Sequence, residues 1–505
     1  MSEIRTLYRH ASHYLGGRIS LMLLGFISFP VFTRVFSVAE YGAMSLVLKV
    51  VLLLTVIGKF GLQNSVQRSY AEEGASPDPQ VRRRYYSTLF FGAGSMGALA
   101  AVLFAATLLL LPESLIGGGL RFLFLIASVL IFLRAVQPTL IGFLRAEGRT
   151  RSYNAVEIAV KAGTIALACG LLLWWKKSLT VFFGSTIAVE AIGVLALIYY
   201  LHHRGLLELQ AADFGYFKRA AWFAFPLIGY ELASVVLDSG DRLLVQHYLG
   251  AQSLGYYSAA YNVSTYAEEA LMVPINLALF PIYMKLWVEK GKEETQAFLS
   301  RSLNNFLALA IAVICVVFLT SRDVIVVLAS KKFQEAHALL PLLIIGLLIY
   351  AVHIFLNAAL LIYKKTAVMT GLVAGACVAN LLLNIALIPR MGLQGAALAT
   401  LVSYLLLVLM MGRVSFRLLP LKISYAGVGM NLLAAAVTFI VVRPIDFHRA
   451  LLNAAVKGLL AMALYAVLIS LLNPGIRRAL LQWCKAKITK PETAPSKLAA
   501  NWEGR

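Results

Sequence analysis

The sequence predicts an all-α polytopic membrane protein with fourteen transmembrane helices. Of its 505 residues, 60% are hydrophobic and 14% are charged, and the mean hydropathy is +0.79. Soluble domains carry about 25% charged residues. The apolar residues are also grouped into runs that can cross a bilayer core, which needs about 20 residues of helix. Composition therefore excludes a string of soluble domains.

Fourteen apolar runs follow one another with short connections. The first run is expected to remain as a transmembrane helix, because it is too long for a signal-peptide core and lacks a small-residue cleavage site. The seventh and eighth runs are long enough to tilt or to project from the membrane. The predicted spans are residues 13–36, 42–66, 86–111, 119–143, 154–175, 179–201, 219–247, 255–284, 303–328, 337–362, 367–388, 394–412, 423–442 and 450–472.

Lysine and arginine are concentrated in alternate loops. Of 45 such residues, 29 fall on the side of the N-terminus, 10 on the opposite side and 6 within the spans. Because positively charged loops stay in the cytoplasm, this bias predicts that both termini are cytoplasmic. The formal net charge of +21 is therefore explained by membrane orientation, and nucleic acid is not an expected partner.

The four cysteines form no close-spaced cluster. Three of them lie in apolar spans, so we interpret them as packing residues and expect neither a disulfide framework nor a metal site. They are Cys169, Cys315, Cys377 and Cys484.

A faint internal repeat appears when the sequence is shifted by 213 residues. The shift pairs Gly42 with Gly255 and Ser45 with Ser258. Repeated halves that face each other across a central site are typical of secondary transporters. The repeat predicts an N-lobe (residues 1–205, spans 1–6), a C-lobe (206–420, spans 7–12), two additional spans (421–473) and a basic cytoplasmic tail (474–505). We call residues 1–205 the N-lobe range and residues 206–420 the C-lobe range.

Two segments related by the repeat, Phe29–Ser45 and Asp241–Ala259, resemble the signature of the polysaccharide-exporter branch of the multidrug/oligosaccharidyl-lipid/polysaccharide exporter superfamily. In that branch an arginine precedes a short turn and a Tyr-Gly or Leu-Gly pair that opens the next helix. The matching residues here are Arg34 with Tyr41 and Gly42, and Arg242 with Leu254 and Gly255.

The resemblance covers spans 1–12 and implies a Wzx-type flippase of the bacterial inner membrane. Such a protein moves an undecaprenyl-diphosphate-linked oligosaccharide from the inner to the outer leaflet by alternating access, for polysaccharide or O-antigen biosynthesis. The implied partners are this substrate, membrane lipids, polysaccharide polymerase or assembly proteins, and H⁺ or Na⁺ as a coupling ion. No cofactor is expected.

Intramembrane charges differ in sign between the lobes. The N-lobe has five cations and two acids, a net charge of +3, whereas the C-lobe has one cation and five acids, a net charge of −4. A diphosphate must be held by fixed cations when it leaves water. The candidate substrate-binding residues are therefore Arg18, Lys49, Lys59 and Arg134.

Three of the four candidate cations also have a plainer interpretation. Lys49 and Lys59 are ten residues apart, roughly 15 Å along one helix, and either line successive depths of a cavity or extend to the two interfaces. Arg18 lies near the cytoplasmic interface. Glu157 and Lys161 are spaced i, i+4, which predicts an ion pair on one helix face.

The C-lobe acids suggest coupling or gating. Asp238 and Arg242 are expected to pair at i, i+4, which leaves another acid free to take up a proton. A static ion-pair network that closes a gate is the alternative. Glu268 and Glu269 point about 100° apart, so at most one faces a cavity. The candidate coupling or gating residues are Glu231, Asp238, Asp241, Arg242 and Glu268.

Catalytic motifs are missing from the sequence. It contains neither a Walker A loop nor a nucleophile elbow, so we do not expect an enzyme. The rival hypotheses are a multidrug exporter of the same superfamily, a membrane polymerase or ligase, and a non-transporting assembly scaffold. The short loops argue against an enzyme with an external catalytic loop, and the cationic N-lobe argues against an exporter of organic cations.

Overall fold

A computed structural model describes residues 2–112 and 117–472, with only the backbone given for residues 2–15. These residues are almost entirely helical and contain no β-strand. The predicted basic tail, residues 474–505, lies outside the described part of the chain. The all-α fold that hydropathy predicts is confirmed.

Six long helices form the N-lobe range. Most begin or end within a few residues of the predicted spans, and a short helix, Leu62–Ser69, follows the second. The six are α1 (Ser2–Val35), α2 (Val38–Gly58), α3 (Pro79–Leu110), α4 (Gly118–Ala146), α5 (Thr150–Trp174) and α6 (Leu179–His203).

One helical run of 116 residues, Phe214–Ala329, contains the next three spans. It is interrupted at Gly250 and Gly291, where φ is +78° and +80°. Glycine adopts positive φ without the steric cost that a Cβ imposes, so the helix is interrupted at single residues. The breaks divide the run into α7 (214–249), α8 (251–290) and α9 (292–329).

Five further helices complete the described chain. They are α10 (Leu340–Ile362), α11 (Thr366–Met391), α12 (Leu393–Leu418), α13 (Tyr425–Val442) and α14 (Ala450–Leu472). Within the described residues, twelve helices are long and apolar enough to cross a membrane, and the 116-residue run is one of them. Counting that run as three gives 11 + 3 = 14 segments in the described residues, as predicted.

The described chain forms two compact units. The first consists of Met1–Leu299 and Ser321–Leu421, and the second of Ser300–Thr320 with the chain from Lys422 onward. In the first unit, α4 packs on α2, α3 and α6, while α12 packs on α10 and α11. The division of this unit into an N-lobe and a C-lobe remains a prediction.

The second unit has its own apolar core. Ala312 packs with Ala434, Tyr465 and Ile469, so the central part of α9 is covered by α13 and α14. The Tyr465 hydroxyl donates to the Ala308 carbonyl at 2.9 Å. The last two spans therefore bury their apolar faces against this segment.

Helix α2 begins at a capping box. The backbone N–H of Glu40 donates to the Ser37 hydroxyl at 3.2 Å, and the Glu40 carboxylate accepts from the Ser37 N–H at 2.8 Å. Such a cap stabilises a helix by about 1 kcal/mol. It fixes the point at which the chain turns from α1 into α2.

The repeat-related glycines form a reciprocal contact between α2 and α8. A Cβ on Gly42 would lie 2.0 Å from the Ala251 carbonyl oxygen, and one on Gly255 would lie 2.0 Å from the Val38 carbonyl oxygen. Ala251 is itself Val38 shifted by 213 residues. The contact therefore follows the internal repeat, and only glycine allows the two backbones to approach so closely.

Candidate functional site

A cavity of about 640 Å³ lies among α1, α2, α4, α5 and α6. Its volume falls within the range of small-molecule sites, about 300 to 1,000 Å³. Its cationic lining residues are Lys59, Arg134, Arg145 and Lys161, and its acidic ones are Glu157 and Glu190. The N-lobe cavity, as we call it, therefore contains two of the four predicted substrate-binding residues.

Arg134 is held by a two-pronged ion pair. Its Nη2 and Nε donate to the Glu190 carboxylate at 2.7 and 3.0 Å, which joins α4 to α6. The Arg134 side chain remains 28% exposed, whereas that of Glu190 is 10% exposed. The guanidinium is thus fixed in the cavity wall with part of its surface open.

Lys161 differs from Arg134 because it forms no ion pair with any described residue. The predicted pair between Glu157 and Lys161 is wrong: Glu157 is instead hydrogen-bonded to Tyr153 on its own helix. Lys161 was missing from the predicted substrate-binding set, because the i, i+4 spacing assigned it a partner. Its exposure in the cavity makes it a cation available to an anionic ligand.

Two lysines, Lys49 in α2 and Lys59 directly after its last residue, bind acids of α7. Lys49 Nζ lies 3.4 Å from Asp238 Oδ2, and Lys59 Nζ forms an ion pair with Glu231. The helices run in opposite directions, so the later lysine meets the earlier acid. Both lysines thus bridge the N-lobe and C-lobe ranges, an arrangement that sequence spacing did not indicate.

Asp241 and Arg242 form a buried pair in α7, and each side chain is 1% exposed. Arg242 Nη1 donates to Asp241 Oδ1 at 3.2 Å and to the Asp238 backbone carbonyl at 2.6 Å. The predicted side-chain pair between Asp238 and Arg242 is therefore not formed. Arg242 contacts the carboxylate beside it and also lies 4.0 Å from the ring centre of Tyr261.

Tyrosines complete the hydrogen bonds of the two aspartates. The Tyr261 hydroxyl donates to Asp238 Oδ1 at 2.8 Å and lies 3.0 Å from the Tyr404 hydroxyl. Asp241 accepts from the hydroxyl of Tyr257. Both aspartates are held by cations and hydroxyls, so this part of α7 forms a connected polar network, in which the buried Arg242 Nε has no hydrogen-bond partner.

Glu268 and Glu269 are acids of α8 without an ion pair among the described residues. Both are partly buried. Arg18, the remaining predicted cation, is exposed on α1 and does not line the N-lobe cavity. The structure therefore brings Lys59 and Arg134 together, places Lys49 between α2 and α7, and leaves Arg18 apart.

At one end of the contact between the N-lobe and C-lobe ranges, a basic side chain of each range donates to backbone carbonyls of the other. Arg34 Nη2 donates to the Val327 carbonyl at 2.8 Å, and Lys332 Nζ donates to the carbonyls of Arg34 and Phe36. Cations are stabilised at helix C-termini, where carbonyls lack helical partners. Arg34, part of the resemblance, thus connects the ends of α1 and α9.

Comparison with known proteins identifies the family. The model of the family described as "Polysaccharide biosynthesis protein" matches residues 7–287, more than half of the chain. The chain belongs to this family. The resemblance detected in the repeated segments is thereby confirmed, and the matched region contains every candidate site residue.

Among the relatives of this chain is the succinoglycan biosynthesis transport protein of Rhizobium meliloti. The two are 25% identical over 289 residues, which are 56% of this chain and 55% of the relative. The chain spans about half the length of the curated relatives it matches, between 48% and 58%.

Solved structures share the fold. The lipid II flippase MurJ in an inward closed conformation superimposes with a TM-score of 0.76 over 94% of this chain and 100% of that chain, at 16% identity. A multidrug resistance MATE family transporter in an inward-facing conformation gives a TM-score of 0.64 over 80% of this chain and 97% of that chain, at 12% identity. At these identities the similarity establishes the fold alone, that of an all-α multi-pass membrane protein.

Proposed function

We propose that the protein is a flippase that moves a lipid-linked oligosaccharide across the bacterial inner membrane for polysaccharide biosynthesis. The observation that carries this proposal is the cationic N-lobe cavity in a chain of the polysaccharide biosynthesis family. The related succinoglycan protein is named as a transport protein, and the lipid II flippase has the same fold. The excess of Lys and Arg on one side supports cytoplasmic termini.

The substrate head group is a diphosphate, as in undecaprenyl-diphosphate carriers. Lys59, Arg134 and Lys161 line the cavity and offer the charge-assisted donors that phosphate oxygens require. Lys161 is unpaired in the described structure, while Lys59 and Arg134 already have carboxylate partners. An entering phosphate therefore binds Lys161 first and competes with Glu231 for Lys59.

This competition links binding to movement between two states. The pairs Lys59–Glu231 and Lys49–Asp238 connect α2 to α7, and loss of either weakens the contact between the lobe ranges. The opposite contact, made by Arg34 and Lys332 with backbone carbonyls, must open for release on the other side. Alternating access follows when the two sets of contacts exchange.

Coupling to H⁺ or Na⁺ is assigned to the C-lobe acids, and Glu268 is the strongest candidate. Glu231, Asp238 and Asp241 are already engaged by cations or hydroxyls, with Arg242 closing the network. Glu268 has no ion-pair partner among the described residues, so its charge is free to change. The engaged acids then act as the gate.

Reconstitution tests the proposed activity. The full chain in liposomes should move a fluorescent undecaprenyl-diphosphate oligosaccharide between leaflets, measured as loss of signal on adding an external quencher. Empty liposomes are the control. No movement above this control under proton, sodium or zero gradient would reject the proposal, and efflux of organic cations from the same vesicles would favour a multidrug exporter.

Lys161→Gln is expected to lower the transport rate about tenfold or more, because a charge-assisted hydrogen bond contributes about 1.5 to 3 kcal/mol. Thermal stability should be unchanged, since no described ion pair is lost. Lys176→Gln, a substitution at an exposed lysine beyond α5, is the matched control. A Lys161→Gln variant that transports at the wild-type rate would remove this residue from the binding site.

Glu268→Gln is expected to abolish acceleration of transport by an imposed ion gradient while leaving gradient-free exchange in place. A neutral side chain of the same size neither takes up a proton nor attracts a cation. Glu289→Gln, which removes an exposed carboxylate that pairs with Lys285 on the same helix, is the control. If Glu268→Gln, Asp241→Asn and Glu231→Gln all keep the full response, these acids form a static network and the coupling assignment is wrong.

A further inference from the structure

A second cavity lies between α5 and α6, on faces of these helices different from those that line the N-lobe cavity. Its volume is about 460 Å³. On α5, Ser152, Val156 and Ala159 line this groove, whereas Glu157 and Lys161 line the N-lobe cavity. We call it the α5–α6 groove.

The floor of the groove is closed by tight helix packing. A Cβ on Gly193 would lie 2.6 Å from Val160 Cγ2, so α5 and α6 touch at this point. Val160 lines both cavities and forms the wall between them. Beside it, Ala159 and Ala196 are exposed small residues that leave the groove open. A chain in the groove is therefore separated from the N-lobe cavity.

One end of the groove is polar. Arg149 Nη1 donates to the Tyr200 hydroxyl at 2.6 Å, and Arg149 Nε lies 2.8 Å from Glu147 Oε2. A guanidinium has five N–H donors, so three remain without an acceptor among the described residues. The Arg149 side chain is 47% exposed.

The charge at this end is positive. Arg204 also binds Glu147, at 2.7 Å, so two guanidiniums share one carboxylate and the cluster carries +2 − 1 = +1. Apart from Ser152, the remainder of the groove wall is apolar and includes Ile192, Leu197 and Leu144. An elongated apolar site with a single positive charge at its end is complementary to a lipid chain that bears one phosphate.

We propose that the α5–α6 groove binds one acyl chain of an anionic membrane phospholipid, whose phosphate accepts from the open donors of Arg149. The inference rests on the orientation in the proposed function, which places Arg149 at the cytoplasmic leaflet, where anionic lipid attracts basic residues. The transported lipid is a poorer fit, because its head group occupies the N-lobe cavity behind the closed floor.

Photolabelling of the full chain tests the site. The protein is reconstituted in phosphatidylcholine vesicles with a trace of phosphatidylglycerol that carries a diazirine in one acyl chain, and labelled peptides are identified by mass spectrometry. Label is expected on α5 and α6 at groove residues. Arg149→Gln and the double substitution Ala159→Phe/Ala196→Phe should each reduce it several-fold.

The controls make the same kinds of substitution at positions outside the groove. Arg151→Gln deletes a neighbouring exposed arginine, and Ala166→Phe adds a ring to an exposed position of α5 that does not line the groove. Both should label as the wild type does. Arg149→Lys keeps the charge and should retain most of the label.

Two outcomes overturn the proposal. Equal labelling by a diazirine phosphatidylcholine would show bulk lipid only, and competition by unlabelled undecaprenyl-diphosphate oligosaccharide would assign the groove to the transported lipid. Labelling requires no transport, so a failed flipping assay with specific labelling rejects the proposed function and leaves the lipid site intact. Flipping without specific labelling rejects the lipid site and leaves the proposed function intact.

Discussion

Gly42→Ala or Gly255→Ala is expected to destabilise the protein by about 3 kcal/mol and to abolish transport. In each variant the new methyl group would lie 2.0 Å from a backbone carbonyl oxygen of the opposing helix. A backbone atom cannot rotate away as a side chain does, so α2 and α8 must move apart. Overpacking of this kind costs about 1 to 3 kcal/mol. We expect the upper end of this range, because at both glycines the added methyl group meets a backbone atom.

The measurement is the apparent melting midpoint of the detergent-purified protein together with the flipping rate in liposomes. Gly94→Ala is the matched control, because beyond its own stretch of the α3 backbone no described atom lies within 4 Å of the added Cβ. It should be neutral or slightly stabilising, since alanine is favoured over glycine in helices by up to about 1 kcal/mol. Equal midpoints for Gly255→Ala and Gly94→Ala would contradict the close contact.

The reciprocal geometry adds a second expectation. Both added methyl groups would press on the same crossing of α2 and α8, so the separation caused by the first makes room for the second. The double variant Gly42→Ala/Gly255→Ala should therefore lose less stability than the sum of the single variants. Strict additivity would indicate two independent contacts.

Hydropathy was sufficient to predict the membrane helices. A chain that crosses the bilayer must form its backbone hydrogen bonds internally, as a helix does, and such a helix needs about 20 apolar residues. Their ends were less predictable. Residues 285–302 were assigned to a loop, yet α8 continues to residue 290 and α9 starts at 292, with Gly291 as the only break. A charged helix that projects beyond the bilayer has the same composition as a loop, so hydropathy cannot distinguish the two.

Pairing partners were the part of the site that sequence spacing could not give. Positions i and i+4 identify neighbours on one helix, and on that basis Lys161 was paired with Glu157. The observed partners come from other helices, as with Lys59 and Glu231, which are 172 residues apart. Only packing decides such contacts. The sign of charge in each lobe range is, by contrast, a property of composition and was readable directly.

The second large effect on stability is expected at the ion pair between Arg134 and Glu190 in the wall of the N-lobe cavity. Arg134→Gln should destabilise the protein by about 3 kcal/mol, because it leaves the carboxylate of Glu190, only 10% exposed, without its partner. Glu190→Gln should be similarly harmful, since the Arg134 guanidinium then loses the carboxylate that it binds. Removing both charges in Arg134→Gln/Glu190→Gln should restore most of the stability, as measured by the melting midpoint.

Transport by this double variant separates support of the fold from substrate binding. We expect the flipping rate to remain at least tenfold below wild type although the protein is stable, because the cavity has lost a donor that the diphosphate requires. The control Arg83→Gln/Glu208→Gln removes an exposed ion pair, with side chains 48% and 47% exposed, and should change neither quantity. If transport instead recovers together with stability, Arg134 serves only to join α4 to α6, and the phosphate must be held by Lys59 and Lys161 without it.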